Sequence, residues 1–329
     1  MLRFLLFLCL RFVYAQECEN GVWTHQTDDK LPHIDCSSAP VHVRWSALTP
    51  QRCHAWREDS DWPLADPYIA RRASWHNARA LIAAMKNKRV WIIGDSIANL
   101  WWSGIRCELY RQNVEFEITQ NGPLAYLAEN SDSLVDIPYE YWFFKHHNTT
   151  FVRKGWATVF REEWEFIIPN SDLIIVNYGH HYHNLSLYRD DMTWLFAKLE
   201  SAERKTIFYE TSAQHYRHGA FEPTPEHGSK QQCSNVGADE LFSSENEIVV
   251  KNNLVDKLVD GMKHVKIYPF YNVTAPRWNL HEAGFCAAEQ EIKGQKSDCL
   301  DCTHYTFTPT LWASIINDIV MMTRGLRPL

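Results

Sequence analysis

Short apolar runs alternate along this chain with longer stretches in which apolar residues recur every three or four positions. The short runs predict five β-strands, at residues 89–93, 114–119, 172–177, 205–209 and 265–270. The longer stretches predict helices at residues 66–86, 97–110, 187–202, 239–262 and 309–323. The aromatic, irregular residues 124–170 predict short strands and loops over one end of the sheet. Strands that alternate with helices are typical of an α/β fold with a parallel sheet covered on both faces.

The first 65 residues lack this alternation. Residues 1–15 combine a basic residue, a short apolar run and a final Ala15, which is the pattern of a secretory signal peptide. The run is short for a bilayer span, although a retained signal anchor is the alternative. Residues 16–65 are rich in Cys, Pro and Trp and form a lead-in to one main domain, residues 66–329. We therefore expect a protein of the secretory pathway, in the Golgi lumen or secreted, with no integral membrane span after signal cleavage.

The cysteine count agrees with that compartment. Nine cysteines are present, Cys9 belongs to the predicted signal peptide, and the even number that remains is typical of disulfide bonds in a secreted protein. Cys299-x-x-Cys302 could instead be a redox or zinc pair, but no second such pair completes a metal site. Three sequons predict N-glycosylation at Asn148, Asn184 and Asn272.

Charge and aromatic content narrow the classes of partner. The formal net charge is −7, without long basic or acidic runs, which argues against a nucleic acid and against a polybasic membrane clamp. The chain has 14 Trp and 14 Tyr, more than a core of this size usually requires. Exposed aromatic rings would suit stacking on sugar rings, although packing alone also explains them. A polysaccharide or other glycan is therefore the expected partner.

The strongest chemical signal is the strand that runs into Gly94-Asp95-Ser96. Gly94 permits a sharp turn at the strand end. Ser96 would begin the next helix, where unpaired backbone N–H groups and the helix dipole favour an oxyanion. A serine in that position suits nucleophilic attack if a base can reach it. The alternative is that Asp95 or Ser96 only caps the helix.

A base and an orienting acid are encoded far away, in Asp301-x-x-His304. The spacing of three lets a carboxylate hold one imidazole nitrogen while the other nitrogen faces outward, as a catalytic triad requires. A surface Asp-x-x-His on a loop is the alternative. Because both halves occur in one chain, we predict a triad of Ser96, His304 and Asp301.

Other polar residues follow the predicted strands. The backbone N–H groups of Ser96 and Gly122 and the side-chain amide of Asn177 are candidate donors of an oxyanion hole. Gly122 is also explained as a turn glycine, and Asn177 as a strand-end cap. The run His180-His181-x-His183 has a metal interpretation, but a zinc site would want a supporting carboxylate and a separate ligand. No metal is expected there.

These motifs together resemble the SGNH (GDSL-type) hydrolase superfamily. The match is closer to its PC-esterase branch, and within that to the plant trichome-birefringence-like polysaccharide O-acetyltransferases. The family's Asp-Cys-Ser-His-Trp box is similar to residues 301–305, and its Asn-x-Gly-His strand end is similar to residues 177–180. Its Ser-x-x-His segment with a later cysteine resembles residues 212–215 and Cys233, and a further segment resembles Val273-Thr274 with Arg277 and His281. The resemblance runs from about Cys18 to Trp312.

The resemblance implies a three-layer α/β/α domain of flavodoxin-like SGNH type, with a lead-in stapled on by disulfides. It implies transfer of an acyl group, most often acetyl, to or from carbohydrate hydroxyls through an ester of Ser96. No cofactor is expected beyond an acyl donor such as acetyl-CoA or an acetylated carrier. Further site candidates are Gly94, Asp95, Gly179, His180, His215 and Arg277.

Three positions depart from the family pattern. Asn99 stands where the family has an arginine three residues after the nucleophile, and Glu210 stands where an arginine precedes the threonine of the Ser-x-x-His segment. No cysteine closely follows Tyr305, so one family disulfide is missing or rewired through Cys299. The acceptor and direction therefore stay open between an O-acetyltransferase and a secreted carbohydrate esterase. A non-catalytic glycan-binding protein on the same scaffold is a third interpretation, which the intact triad residues disfavour.

Overall fold

The computed structural model describes residues 78–120, 140–216, 238–275, 281–283, 300–305 and 309–325. The elements in this part of the chain are α1 Ala78–Ala84, β1 Arg89–Gly94, α2 Ser96–Arg111, β2 Glu117–Gln120, β3 Glu140–Phe144, a 3₁₀ helix Lys145–His147, β4 Thr149–Gly155, α3 Arg161–Ile167, β5 Leu173–Asn177, α4 Leu185–Ser201, β6 Thr206–Tyr209, α5 Ala238–Leu241, α6 Glu247–Val259, β7 Val265–Tyr268, α7 Phe270–Thr274, β8 His281–Ala283, β9 Leu300–Tyr305 and α8 Pro309–Thr323. The predicted signal peptide and lead-in lie outside the described residues.

Seven strands form one sheet in the order β2-β3-β4-β1-β5-β6-β7. The run from β4 through β1, β5 and β6 to β7 is parallel. At one edge, β3 is antiparallel to both β2 and β4. The α/β class is confirmed, with a sheet that is mostly rather than wholly parallel. Strands β8 and β9 pair separately as an antiparallel ribbon.

The central strands bury both of their faces. Val90 and Ile92 of β1 belong to a core that includes residues of α1, α2 and α8. Trp91 and Ile93 belong to a second core, with residues of α3, α4 and α6. A strand covered on both sides needs apolar residues at every position, which explains the continuous run in the sequence. Two cores on opposite faces of one sheet are compatible with a three-layer α/β/α arrangement.

Two expectations about the elements are wrong. The described part of residues 124–170 includes β4, which lies next to β1 in the sheet and is not a cover over its end. Its charged residues Arg153 and Lys154 interrupt the apolar run that marks a buried strand. The single helix expected at 239–262 is two helices, α5 and α6. Asn246 begins the second, because its side chain accepts a hydrogen bond from the backbone N–H of Ile248.

The described residues also bear on the secretory features. Cys107 of α2 and Cys302 of β9 are buried and disulfide-bonded, and the other cysteines of the predicted mature chain lie outside the described residues. Asn148, Asn184 and Asn272, the three predicted glycosylation sites, are exposed. No helix in the described ranges is both long and apolar enough to cross a bilayer.

Candidate active site

The turn from β1 into α2 is built around Gly94. Its φ is +145°, and a Cβ added there would lie 2.1 Å from the backbone oxygen of Asn177. Gly94 pairs with Asn177 of β5 on one side and with Gly155 of β4 on the other. Only glycine combines that conformation with so close an approach of the neighbouring strand. The chain can therefore turn at the carboxyl edge of the sheet and start α2 at Ser96.

Asp95 caps α2 and leaves the N–H of Ser96 available. The Asp95 carboxylate accepts a hydrogen bond from the backbone N–H of Ile97 at 2.9 Å. Among the described residues, no group accepts a hydrogen bond from the N–H of Ser96. The first N–H groups of a helix lack acceptors within the helix, and the helix dipole adds positive potential there. An oxyanion formed at Ser96 would meet this donor.

The side chains of Ser96 and His304 are in hydrogen-bond contact. His304 Nε2 lies 2.6 Å from Ser96 Oγ, although 208 positions separate the two residues along the chain. Both side chains are half-buried. When Ser96 donates, Nε2 is unprotonated and the imidazole proton sits on Nδ1. This is the contact that a serine nucleophile needs with its general base.

Strand β9, which carries His304, is held by the segment that follows β6. The backbone N–H of His215 donates to the carbonyl of Cys302 at 3.0 Å. The Tyr305 hydroxyl donates to the carbonyl of Ala213 at 2.7 Å. These bonds flank His304 on both sides along the strand. The segment 213–216 therefore positions His304.

His215 itself has a structural role. It is fully buried, and its Nε2 donates to the backbone carbonyl of Ala275 at 2.7 Å. Burial lowers the pKa of His215 to about 4, and the Ala275 carbonyl offsets only part of that effect. His215 is therefore neutral at physiological pH and joins β9 to the end of α7. The motif that contains His215, residues 212–215, therefore has a structural role beside the site.

The structure does not describe all of the predicted site residues in full. Asp301 lies in β9, three residues before His304, but its side chain is outside what the structure describes. Gly122 and Arg277 lie outside the described residues. The contact of Asp301 with His304, and the roles of Gly122 and Arg277, stay predictions.

The carboxyl group of Asp95 lies beneath this site. Asp95 is 3% exposed, and within the described residues its Oδ2 has no hydrogen-bond partner. Burial raises the pKa of Asp95 to about 6, against the opposing effects of the Ile97 N–H and of His304. The attraction between the Asp95 carboxylate and the His304 imidazole offsets part of this rise in the pKa of Asp95. Asp95 therefore adds an electrostatic effect to its capping role.

Asn177, Gly179 and His180 line the neighbouring strand end. Asn177 is fully buried, and its Nδ2 donates to the backbone carbonyls of Tyr209 and Glu210 at 3.0 and 3.3 Å. To serve an oxyanion, this amide would have to exchange one of those bonds. His180 Nε2 lies 3.0 Å from the hydroxyl of Ser212.

Lys251 of α6 is a buried charge that sequence reasoning missed. Its Nζ donates to the backbone carbonyl of Gly179 at 3.0 Å and pairs with Glu247. A Cβ added at Gly179 would lie 1.8 Å from the Thr211 hydroxyl, so this strand end is tightly packed. A lysine within an amphipathic helix gives no sequence signal for such a contact. Within the described residues, no group of three or more His, Cys, Asp or Glu side chains could hold a metal ion.

Glu210 should make the stability of the protein decrease as the pH rises. Burial, with a smaller contribution from Asp256, raises the pKa of Glu210 from 4.5 to about 8, and its Oε2 accepts a bond from the Tyr271 N–H. The folded protein keeps a proton that the unfolded chain releases near pH 4.5, so stability is lost between these two pKa values. We expect Glu210→Gln to remove this slope, up to about 1.4 kcal/mol per pH unit. Urea unfolding at pH 5, 7 and 8.5 measures it.

The exposed Glu162→Gln is the matched control for that series. This variant removes a glutamate carboxylate from a surface position of α3. Its unfolding free energy should therefore change with pH as that of wild type does. If Glu210→Gln and wild type lose stability in parallel from pH 5 to 8.5, Glu210 is not protonated in the folded protein.

Comparisons with known proteins do not assign a family to the chain. No protein-family model matches it, and a search of the curated proteins finds no match. A function for the chain is therefore inferred from its motifs and from the geometry around Ser96.

Proposed function

We propose that this protein is an acyl-transferring serine enzyme of the SGNH type, acting on carbohydrate hydroxyls. The observation that carries the proposal is the 2.6 Å contact between His304 Nε2 and Ser96 Oγ at the start of α2. That position lies at the carboxyl edge of the parallel strands, where α/β proteins bind their ligands. A finer fold assignment, the flavodoxin-like three-layer SGNH domain over residues 66–329, is part of the same proposal.

The chemistry would follow two matched steps. Ser96 Oγ attacks the acyl carbonyl while His304 Nε2 takes its proton, and the resulting imidazolium returns that proton to the leaving oxygen. The product of this step is an acyl ester of Ser96. A second hydroxyl then gives its proton to His304 and attacks the ester, and His304 returns that proton to Ser96 Oγ as the ester bond breaks. Asp301 would hold Nδ1–H of His304 and stabilise the imidazolium.

The oxyanion of each tetrahedral intermediate needs preorganised donors. The N–H of Ser96 is suited to this role because the Asp95 cap engages the N–H of Ile97 instead. Gly122 would contribute a second N–H. It follows β2, whose carboxyl end points in the same direction as that of β1, since β3 is antiparallel to both β2 and β4.

The acyl group is proposed to be acetyl and the acceptor a sugar hydroxyl, which makes the protein a polysaccharide O-acetyltransferase. The sequence resemblance to the trichome-birefringence-like family supports this direction. A sugar hydroxyl held in line has a high effective concentration and can outcompete water. The same resemblance supports action in the Golgi lumen or after secretion. The runner-up is a secreted carbohydrate esterase, for which water is the acceptor.

The partition of the acyl-enzyme tests the direction. Purified protein is incubated with an acetyl donor and a panel of glycans, and acetylated glycan and free acetate are both quantified. With saturating acceptor, acetylated glycan should exceed acetate. If acetate dominates at every acceptor concentration and the protein deacetylates xylan or pectin, it is an esterase. Glycan binding without any acetyl-enzyme would instead support a non-catalytic glycan-binding protein.

A further inference from the structure

Thr211 lies just beyond the last residue of β6 that pairs within the sheet. The pairing of β6 with β7 ends at Tyr209, opposite Tyr268, and the N–H of Glu210 still donates to the Tyr268 carbonyl at 3.1 Å. Thr211 is fully buried, so its backbone N–H and C=O need partners other than water. In the part of the chain that the structure describes, no backbone group bonds to either of them.

The side chain of Asn252 takes the place of a neighbouring strand for Thr211. Asn252 Oδ1 accepts from the Thr211 N–H at 3.0 Å, and Asn252 Nδ2 donates to the Thr211 carbonyl at 3.0 Å. An amide offers one donor and one acceptor side by side, as a peptide group does. Asn252 is 5% exposed on α6. The preceding Lys251 donates to the Gly179 carbonyl, so this turn of α6 is held against the ends of both β5 and β6.

The segment that begins at Thr211 leads to the strand that carries His304. The carbonyl of Ala213 accepts a hydrogen bond from the Tyr305 hydroxyl at 2.7 Å. The His215 N–H donates to the carbonyl of residue 302 at 3.0 Å. Because these two bonds join the segment to β9 on either side of His304, a shift of residues 211–215 would move His304 relative to the proposed nucleophile.

The segment has further anchors, each of which restrains a single group. The Ala213 N–H donates to the hydroxyl of Thr274 at 3.0 Å, and the His215 ring donates to the Ala275 carbonyl at 2.7 Å. Asn252 instead engages both backbone groups of one residue, at the point where the chain leaves the sheet. It therefore restrains the direction in which the segment continues.

We infer that Asn252 is a positioning residue for the proposed reaction, and that it keeps His304 in contact with Ser96 through the segment 211–215. His304 Nε2 lies 2.6 Å from Ser96 Oγ, and a displacement of about 1 Å at such a contact can cost about 10²-fold in rate. The inference depends on the proposed function, because this contact is the one through which Ser96 would be activated.

Asn252→Asp makes the positioning depend on a proton. A carboxyl group can donate to the Thr211 carbonyl only when it is protonated, since a carboxylate only accepts, and burial favours the protonated form. The rate of acetyl-enzyme formation from p-nitrophenyl acetate, per folded molecule, should therefore be near that of wild type at pH 5 and at least about tenfold lower at pH 9. Taking the ratio to wild type at each pH removes the titration of His304 and Glu210, which both proteins share, as they share the charge of Lys251.

Two further variants separate positioning from charge and from stability. Asn252→Leu removes the amide without adding a charge, so its rate should be low at every pH, with no recovery at pH 5. Asn170→Asp is the matched control, because the Asn170 amide also donates to a backbone carbonyl, that of Phe166 at 2.8 Å, but just before β5 at the opposite edge of the sheet. Its ratio to wild type should stay near one from pH 5 to 9.

Four results would overturn the inference. They are a wild-type rate in Asn252→Leu, a ratio that does not change with pH in Asn252→Asp, failure of Asn252→Asp to fold at pH 5, and the same pH dependence in Asn170→Asp. Unfolding free energies of the same samples give the folded fraction to which each rate is normalised.

A separate measurement distinguishes this inference from the proposed function. The nitrogen chemical shifts of the His304 imidazole, assigned with His304→Gln, report its contact with Ser96 whether or not the protein is an enzyme. If wild type forms an acetyl-enzyme and the Asn252 variants change neither its rate of formation nor these shifts, the inference fails and the proposed function stands. If the shifts change in Asn252→Leu but not in Asn170→Asp, and wild type forms no acetyl-enzyme, the positioning role stands and the proposed function fails.

Discussion

Ser96→Ala protein is expected to fold as wild type does and to lose acyl transfer by about 10⁴-fold or more, because the change removes the hydroxyl on which the proposed ester forms. Ser96 is half-buried at the first position of α2, and its hydroxyl contacts His304. The Asp95 cap does not depend on that hydroxyl. The measurement is the rate of p-nitrophenyl acetate hydrolysis together with the mass of any acetylated protein.

Ser103→Ala serves as the control for this variant. Ser103 lies two turns after Ser96 on the same face of α2 and is buried. The change therefore removes a serine hydroxyl from the same helix and leaves Ser96 in place. Its rate should stay near that of wild type. Activity in Ser96→Ala within a few-fold of wild type would mean that Ser96 only begins the helix, which was the alternative interpretation of this motif.

Asp301→Asn is expected to reduce the rate by about 10⁴-fold with little loss of stability, the effect seen when a triad histidine adopts the wrong tautomer. An asparagine can still contact the imidazole but cannot stabilise the imidazolium. Asp301 lies three residues before His304, and its side chain is outside what the structure describes, so this expectation comes from the sequence motif alone. Rates are measured from pH 5 to 9 and compared with unfolding free energies of the same samples.

Asp298→Asn is the appropriate control for the triad acid. It lies three residues upstream and removes the same charge from the same segment, so a general loss of negative charge affects both variants equally. Only Asp301→Asn should show the large decrease in rate. If Asp298→Asn shows it instead, Asp298 is the acid that orients His304.

The strands that are buried on both faces were predicted well from the sequence. The runs in β1 and β5 are apolar throughout because both faces of these strands are buried, and their observed bounds differ from the expected ones by one residue at an end. Strand β4 escaped prediction because Arg153 and Lys154 stand in a central strand. Arg153 forms an ion pair with Glu140, and the Lys154 ammonium lies over the ring of Trp156. Glu140 comes from the neighbouring strand β3, so this partner of Arg153 cannot be identified from a local pattern.

The boundaries of the helices were likewise predicted only in part. Helix α8 was predicted with its observed bounds. Its starting proline suits the first position of a helix. The interruption between α5 and α6 was missed, although Ser243, Ser244 and Asn246 are residues that favour caps and turns. The periodicity continues across the break, and it outweighed the capping signal in our interpretation.

The sequence by itself determined the α/β class and the types of side chain available for chemistry, because burial and backbone conformation leave local patterns. Only the tertiary structure brought His304 to 2.6 Å from Ser96. It also tied the Asn177 amide to two carbonyls and set Arg153 beside Asn99. These contacts join positions on different strands and helices, and the pairing of β1 with β4 and β5 decides them. Strand order is set by the packing of the whole sheet, which no single segment of the chain encodes.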